Sequence, residues 1–328
     1  MVMNNAKYNL LGIGNAIVDI TIRVDDEFLD SRAITKGSMA LIDQENAISF
    51  SNLKYDKICS GGSVANSVVM ASALGNVKCG FIGKVGSGRY ADIFIKELGE
   101  CDSSLVQRID HDITGRSFIL VTPDGQRTMQ TYLGASIKLN DVDIDHKKIF
   151  STNIIFIEGY LFDTKSIKTA VIKSLDIAKN YHIKSALTLS DAQCVFRHKK
   201  EFLDLINNGR VNILFANLEE IKALFGDNYQ ECLNILTAKH DLMAIITKSG
   251  DGCVGFFAGK DIECAATTVV DNPVDSTGAG DAFAAGFLHS YLTQKDFKVC
   301  LENGNAVAFQ TINVIGARFD DVKKIKLK

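Results

Sequence analysis

The 328-residue sequence contains no tryptophan and only two prolines, so its turns must depend on its 26 glycines and on short polar segments. Its eight cysteines form no C-x-x-C pair, which argues against a zinc site or a disulfide framework and favours free thiols in a reducing cytoplasm. No run reaches the roughly 18 apolar residues of a membrane-spanning helix, and residues 1–10 lack the features of a signal peptide. These absences predict a cytoplasmic protein that has no membrane partner.

The charge balance argues against a broad basic surface. The formal net charge is −3 at pH 7, which disfavours a nucleic-acid partner. Hydrophobic residues make up 46% of the chain, as expected of a globular protein with a sizeable core. The notably basic residues lie at the C-terminus and predict a solvated tail; they are Lys323, Lys324, Lys326 and Lys328.

Candidate strands alternate with candidate helices along most of the chain. Apolar, β-branched runs predict strands at residues 10–13, 80–82, 154–157, 186–189, 213–215, 244–247 and 253–257. Helical periodicity predicts helices at residues 64–74, 90–98, 166–180 and 219–225. This order predicts an α/β fold with a doubly wound, mostly parallel sheet flanked by helices. Ligands of such sheets bind beyond the carboxyl ends of the strands.

Two segments depart from this alternation. Residues 17–43 and 114–132 have strand-like patterns, and Pro123-Asp124-Gly125 in the second segment is typical of a hairpin turn. We interpret the two segments as a small β-sheet that projects from the main domain as a lid. Because its parts are separated in sequence, we expect residues 1–328 to form one domain and not two sequential ones.

The segment from Val270 to His289 carries the strongest chemical signal. An apolar run leads to Asp275-Ser276-Thr277-Gly278-Ala279-Gly280, and Asp281 then opens a helical pattern. Small residues at a helix start leave backbone N–H groups exposed, and the helix dipole favours an anion there. Asp281 would be a poor phosphate ligand but a suitable base for a hydroxyl that attacks a phosphate. The pattern favours phosphoryl transfer, although helix signals alone fit an N-cap before a core helix equally well.

Five motifs occur in order between about residue 10 and Ala317. They are Gly12-Ile13-Gly14-Asn15-Ala16-Ile17-Val18-Asp19, Gly61-Gly62-Ser63-Val64-Ala65-Asn66, Asn217-Leu218-Glu219-Glu220, the turn at residues 247–252, and Asp275-Ser276-Thr277-Gly278-Ala279-Gly280-Asp281. In this order the motifs resemble those of the ribokinase, or PfkB-type, carbohydrate kinases, a family that includes adenosine kinases. The resemblance covers nearly the whole chain and implies a ribokinase-like fold.

This resemblance implies a role for each matched residue. Asp281 would be the catalytic base, beside an anion hole that Gly278, Ala279 and Gly280 form. The residues that would bind the hydroxyls of the acceptor are Asn15, Asp19, Gly61, Gly62 and Asn66. Without the resemblance, Asp19 is as consistent with a strand-end turn as with a ligand contact.

The resemblance also implies ATP and Mg²⁺. Residues expected to contact ATP are Asn217, Thr247, Ser249, Gly250, Gly252 and Asn305, the last of them near the adenine. Glu220 would hold Mg²⁺ through water, as suits a hard ion that retains its waters. On sequence alone, an Asn cap followed by acidic residues on a surface helix is the simpler interpretation of Asn217 and Glu220. Arg116 and Arg127, in the predicted lid, are candidates to offset phosphate charge.

Other reaction classes lack their signatures. The sequence has no G-x-x-x-x-G-K-[ST] loop, no complete dinucleotide fingerprint and no H-E-x-x-H or G-x-S-x-G motif. The family resemblance implies a kinase for a small-molecule nucleoside or sugar. Residues 14–16, 36–39 and 131–135 look most like those of adenosine-kinase-like bacterial members of the family, which makes adenosine the first choice and leaves ribose or fructose as alternatives. A non-catalytic nucleoside- or sugar-binding module is the competing hypothesis. Activation by a monovalent cation and the choice between monomer and homodimer stay open.

Overall fold

The computed structural model describes residues 6–270, 273–318, 325 and 327–328. Asp271 and Asn272, within the motif-bearing segment, and Lys323, Lys324 and Lys326 of the basic tail lie outside the described residues, as do residues 1–5. The strands are β1 (Tyr8–Ile13), β2 (Ile17–Arg23), β3 (Met39–Leu41), β4 (Lys57–Gly61), β5 (Cys79–Ser87), β6 (Val106–Val121), β7 (Arg127–Gly134), β8 (Thr152–Glu158), β9 (Lys184–Thr188), β10 (Ile213–Asn217), β11 (Met243–Thr247), β12 (Cys253–Phe257) and β13 (Lys260–Cys264). The helices are α1 (Asp26–Asp30), α2 (Gln44–Ser51), α3 (Ser63–Ala73), α4 (Arg89–Glu97), α5 (His146–Phe150), α6 (Lys165–Asn180), α7 (Ala192–Asn207), α8 (Leu218–Phe225), α9 (Tyr229–Thr237), α10 (Ala279–Leu292) and α11 (Phe297–Thr311).

The main sheet has the strand order β13-β12-β11-β10-β9-β8-β1-β5. From β11 to β5 every neighbouring pair is parallel, and β12 and β13 add an antiparallel edge. Helices cover both faces, so the predicted mostly parallel, doubly wound α/β sheet is confirmed. All seven predicted strands and all four predicted helices of the main domain are present, with ends shifted by a residue or a few.

Side chains of the central strands alternate between two hydrophobic clusters. On β8, Ile154 and Phe156 pack in one cluster with α3 and α10, whereas Ile155 and Ile157 pack in the other with α6 and α7. Successive residues of a strand point to opposite faces, so a strand buried on both faces is apolar throughout. The packing leaves the carboxyl ends of the strands as the edge on which polar groups can converge.

A second sheet stands beside the first, and we call it the side sheet. Its order is β4-β2-β6-β7-β3. β6 belongs to both sheets, because its first part pairs with β5 and its second part with β2 and β7. The strand β4 lies outside both sequence segments from which we expected this sheet, and it brings Gly61 beside β2.

None of the described helices is long and apolar enough to cross a membrane.

Candidate active site

A cavity of about 490 Å³ lies between the carboxyl ends of the main sheet and one face of the side sheet. Its polar end is lined by Asn15, Asp19, Asn66, Glu158 and Asp281. The side sheet and the turn after β8 add apolar side chains, which we call the apolar wall, with the polar Ser117 and Thr131 among them; the apolar residues are Ile17, Met39, Leu41, Met129, Leu133 and Tyr160. The cavity therefore offers hydrogen-bonding groups together with apolar surface.

Asp281 is held in the first turn of α10 by side chains of α3. Ser63 Oγ donates to Asp281 Oδ1 at 2.6 Å, and Asn66 Nδ2 donates to Oδ2 at 2.9 Å. Ser67 Oγ donates to the backbone oxygen of Asp281 at 3.0 Å. Two helices that are distant in sequence thus fix the orientation of one carboxylate.

The environment of Asp281 makes this carboxylate a stronger base. Burial raises the pKa of Asp281 above its ordinary value of 3.8, while the hydrogen bonds from Ser63 and Asn66 and the charge of Arg318 act in the opposite direction. Asn66 Oδ1 is buried without a hydrogen-bond partner in the described part of the chain. An acceptor hydroxyl at this point would satisfy that oxygen.

The turn before Asp281 has a backbone that only glycine adopts easily. Gly278 caps α10 with φ of 75°, and a Cβ at this position would lie 2.6 Å from Ala317. A Cβ at Gly280 would meet nothing within 4 Å, so this side of the turn is open. Ala279 N donates to Ser276 O at 3.2 Å, which leaves the next N–H groups of the helix start directed outward. Such a turn can receive an anion.

Asp275 fixes this turn from behind. Its carboxylate accepts from Thr277 N and from Gly316 N, each at 2.7 Å, and pairs with Arg127 Nη1 at 2.7 Å. Arg127 comes from β7 and also donates to Val274 O at 3.1 Å. One arginine thus ties the side sheet to the loop that precedes the candidate anion site.

Asp19 lies on β2, is only 7% exposed, and faces the same cavity. Burial raises its pKa from 3.8 to about 7; the positive charge of Arg318 opposes this increase, and the negative charges of Asp281 and Asp275 add to it. A Cβ at Gly61 would lie 2.2 Å from Asp19 Oδ1, so only glycine leaves room for the carboxylate.

Asn15 is joined to a residue that the sequence analysis missed, Glu158. Asn15 N and Nδ2 donate to Glu158 Oε1 at 3.0 and 2.8 Å, and Val64 N donates to Oε2 at 3.0 Å. Glu158 ends β8, and burial raises its pKa to about 7. It connects the first strand to the start of α3, where Gly62 has φ of 93° and no space for a Cβ beside Asn15 O.

Asn217 and Glu220 form a capping box at the start of α8. Asn217 Oδ1 accepts from Glu220 N at 2.9 Å, and Glu220 accepts from Asn217 N and Nδ2 at 3.1 and 2.7 Å. Burial raises the pKa of Glu220 to about 7, and the negative charges of Asp191 and Asp281 add to the increase. A nearby cation would relieve this repulsion.

The donor set around Glu220 suits a cation that keeps its own water. Among the described residues, no group of three or more His, Cys, Asp or Glu side chains is placed to bind a metal ion directly. A single buried carboxylate with two like charges near it fits Mg²⁺ held through water, because this ion retains several waters.

The remaining residues expected to contact ATP lie beside Asn217 at the ends of β10 and β11. Thr247 pairs in register with Asn217, and its Oγ1 donates to Ala216 O at 3.4 Å. Ser249, Gly250 and Gly252 form the turn after β11, in which Gly252 has φ of 86° and no space for a Cβ beside Cys264 O.

Asn305 contributes to this region by donating hydrogen bonds to the backbone of residues 264 and 265. Its Nδ2 donates to Ala265 O at 3.0 Å and to Cys264 O at 3.3 Å from α11. The side chain therefore fixes the segment that packs against the turn at Gly252.

Two further arginines distinguish the faces of the side sheet. Arg116 lies on the face away from the cavity, where its guanidinium is 4.1 Å from the Tyr90 ring centroid and donates to Ser51 Oγ at 2.6 Å. Arg318, which the sequence analysis did not single out, lies behind Asp19, donating to Glu97 O at 3.1 Å and to Ser60 O at 2.5 Å. The structure thus brings Arg127, but not Arg116, to the cavity. It also places the positively charged guanidinium of Arg318 behind the polar end of the cavity.

Comparison with known proteins agrees with this arrangement. Residues 51–324 match the pfkB family carbohydrate kinases. A probable sugar kinase from Rhizobium etli CFN 42 is 34% identical, with a TM-score of 0.88 and 97% of each chain covered. An adenosine kinase from Sinorhizobium meliloti is 35% identical, with a TM-score of 0.88, 97% of this chain and 98% of that chain being covered.

A more distant relative matches over a shorter stretch. The guanosine-inosine kinase of Escherichia coli K12 is 26% identical over 232 residues, which are 67% of this chain and 53% of the relative, so the chain spans about half the length of that protein. The family match covers most of the sequence, and two structures about one third identical share the fold over nearly their whole length. The chain therefore belongs to the pfkB family of carbohydrate kinases.

Proposed function

We propose that this chain is an ATP-dependent kinase that transfers the γ-phosphoryl group to a hydroxymethyl group of a nucleoside, with adenosine as the preferred acceptor. The observation that carries the proposal is the position of Asp281. Its carboxylate lies between the cavity and the open glycine turn, and two side chains of α3 hold it in place. A base and an anion site side by side are what phosphoryl transfer to an alcohol requires.

In the proposed reaction, the acceptor oxygen forms a bond to the γ-phosphorus while the bond from that phosphorus to the β,γ-bridging oxygen breaks, which releases ADP. The hydroxyl proton passes to Asp281, whose raised pKa makes it a better proton acceptor than an exposed aspartate. The N–H groups at the start of α10 stabilise the negative charge of the transferring group. Mg²⁺, held through water at Glu220, would supply further neutralisation of the phosphates.

Binding of the acceptor is assigned to the polar end of the cavity. The Asp19 carboxylate and Asn66 Oδ1, which has no hydrogen-bond partner in the described chain, can each accept a hydrogen bond from a ribose hydroxyl. Gly61 and Gly62 keep the space around these groups open. We further assign two groups of residues to the ATP side: Asn217, Thr247, Ser249, Gly250 and Gly252, at or just after the ends of β10 and β11, and Asn305 on α11.

The apolar wall favours a nucleoside over a free sugar. A ribose or fructose would use the polar end alone and leave the side chains of Met39, Met129 and Leu133 in contact with water. A nucleobase covers such a wall, and Tyr160 offers it an aromatic ring. The similarity to the Sinorhizobium meliloti adenosine kinase supports adenosine as first choice. The similarity to the Rhizobium etli probable sugar kinase keeps a furanose sugar as the alternative.

We propose that residues 1–328 act as one kinase domain and that the side sheet is its lid. Arg127 crosses from β7 to Asp275, which allows the side sheet and the phosphate turn to move together. Closure of such a sheet over the cavity would exclude water from the reacting groups. A cytoplasmic location and the choice between monomer and homodimer stay predictions.

The proposal is tested by acceptor-dependent release of ADP from Mg-ATP. The panel contains adenosine, guanosine, inosine, ribose and fructose, each with and without added K⁺. We expect release with adenosine at micromolar concentration and little with free sugars. Release with a sugar alone would move the assignment to the alternative, and no release with any acceptor, although ligands bind, would support a non-catalytic binding protein.

The role of Asp281 is tested by Asp281→Asn, which keeps the shape of the side chain but removes its basicity. We expect both substrates to bind and kcat to fall by about three orders of magnitude or more. Asp241→Asn, at an exposed position before β11, is the matched control and should retain full turnover. Near-normal turnover of Asp281→Asn would contradict the assignment of the base.

A further inference from the structure

A second cavity, of about 830 Å³, opens at the opposite edge of the main sheet, where β8, β9 and β10 begin. We call it the basal cavity. Five basic residues line it, and none of its lining residues is acidic; the five are Lys179, His182, Lys184, Arg210 and Lys295. In a chain whose net charge is −3, this is a marked local concentration of basic groups.

Ordinary structural roles account for two of the five basic side chains. Lys179 Nζ donates to Asn208 O at 2.6 Å at the end of α7, and Arg210 Nε pairs with Asp176 Oδ1 at 2.5 Å. The C-terminal ends of α6, α7 and α10 also lie at this edge and carry partial negative charge. The side chains of His182, Lys184 and Lys295 make no hydrogen bond or ion pair within the described residues.

At two of the helix ends beside the basal cavity, a residue other than glycine has the positive φ that glycine adopts without strain. His182 follows α6 with φ of 57°, and Gln294 follows α10 with φ of 64°. Glycine usually takes this left-handed position after a helix, as Gly209 does after α7 with φ of 63°. His182 and Gln294 both line the cavity, so the strained backbone directs polar side chains to one space.

Four apolar side chains also line the cavity, beside polar side chains such as Ser185, Asn212 and Gln294; the four are Ile154, Ile183, Tyr291 and Leu292. The space is much larger than a single inorganic phosphate needs. Basic groups beside an aromatic ring and aliphatic side chains match a ligand that has both an anionic and an apolar part.

We propose that the basal cavity is a second ligand site, which binds a phosphorylated nucleoside. Its phosphates contact His182, Lys184 and Lys295, and its base packs against Tyr291 and Leu292. The site lies at the end of the main sheet away from Asp281 and does not depend on kinase activity.

The location of the site is tested by lysine footprinting with ADP as the probe. The whole protein is acetylated with limiting reagent, and modification at each lysine is read by mass spectrometry. We expect ADP, at up to about 1 mM, to protect Lys184 and Lys295 but not the exposed Lys199 and Lys200 of α7. Adenosine should protect neither pair. No protection by ADP, or equal protection by inorganic phosphate, would overturn the proposal.

The stoichiometry is tested by calorimetric titration of ADP into the wild-type protein and the double variant Lys184→Gln/Lys295→Gln. We expect the double variant to bind one equivalent fewer than the wild type, or to bind it at least about tenfold more weakly. The charge-matched control is Lys199→Gln/Lys200→Gln, which should behave as the wild type. Identical titrations of all three proteins would overturn the proposal. Because the readout is a difference in ADP binding between the variant and the wild type, it is valid whether or not the protein proves to be a kinase.

Discussion

Asp19 should make the protein less stable as the pH rises, and Asp19→Asn should remove this effect. The side chain is 7% exposed, and its pKa is raised from 3.8 to about 7 in the folded state. Between these two values the folded protein holds a proton that the unfolded chain releases. The free energy of unfolding therefore falls as the pH increases through this interval, and the loss is complete above about pH 7.

The size of the effect follows from the two pKa values. A shift from 3.8 to about 7 corresponds to a cost of about 4 kcal/mol at high pH. Part of this cost is already present at mildly acidic pH, so between about pH 5 and pH 8 the change is about 2 to 3 kcal/mol. Asparagine has the same shape and no ionisation. Between about pH 5 and pH 8, the unfolding free energy of Asp19→Asn should therefore increase relative to that of the wild type by about 2 to 3 kcal/mol.

The assay is urea unfolding of both proteins at several pH values across this interval, followed by circular dichroism. The contributions of Glu158 and Glu220, whose pKa values are also raised to about 7, cancel in the difference. The same variant should bind the acceptor more weakly, because the proposed contact of an ionised carboxylate with ribose hydroxyls is lost. A difference in stability that does not change with pH would refute the reasoning, whatever the effect on binding.

Three further variants probe the neighbours of the site. Arg318→Gln removes a charge that lowers the pKa of both Asp19 and Asp281. Because we propose that ionised Asp19 binds the acceptor, the acceptor KM should fall as the pH rises, and in the variant this fall should occur at higher pH. An unchanged pH profile of KM would contradict this. Gly61→Ala places a Cβ 2.2 Å from Asp19 Oδ1. Acceptor affinity should therefore fall at least about tenfold, while the KM for ATP stays constant. Intact acceptor affinity would show that the carboxylate can move away from the new methyl group. Arg127→Ala should lower kcat about tenfold or more if this arginine acts on the phosphates, and unchanged turnover would exclude it.

The main sheet could be predicted from sequence because its signal is local. A strand buried on both faces is apolar over its whole length, as at residues 154–157 in β8. In a helix that packs on one face of the sheet, apolar residues recur every three to four positions, as in α6. The side sheet was predicted less completely. Its strand β4 has only five residues and gains its identity from pairing with β2, which is a tertiary contact. The helix α7 was not predicted, and its backbone departs from helical geometry at His198.

The candidate site shows the same division between local and long-range signals. Glu158 ends β8 beyond an apolar run, and the rule that polar groups at the carboxyl ends of parallel strands meet the ligand would have found it. Asp281 was found because a glycine turn and a carboxylate are adjacent in sequence. Arg318 offered no such signal, since its meaning depends on Ser60 and Glu97, to which it donates hydrogen bonds from the other end of the chain.

The surroundings of Asp19 and Asp281 suit the different tasks that we propose for the two carboxylates. The guanidinium of Arg318 is behind Asp19, on the β4 side, and its charge favours the ionised form of both Asp19 and Asp281. Asp281 has two further hydrogen bonds from Ser63 and Asn66, whereas no described side chain donates to Asp19. Asp281 is thereby fixed in direction, as a base must be, and Asp19 keeps its lone pairs available for a ligand. The division of labour that we propose for the two carboxylates rests on their hydrogen-bond partners and not on their residue type.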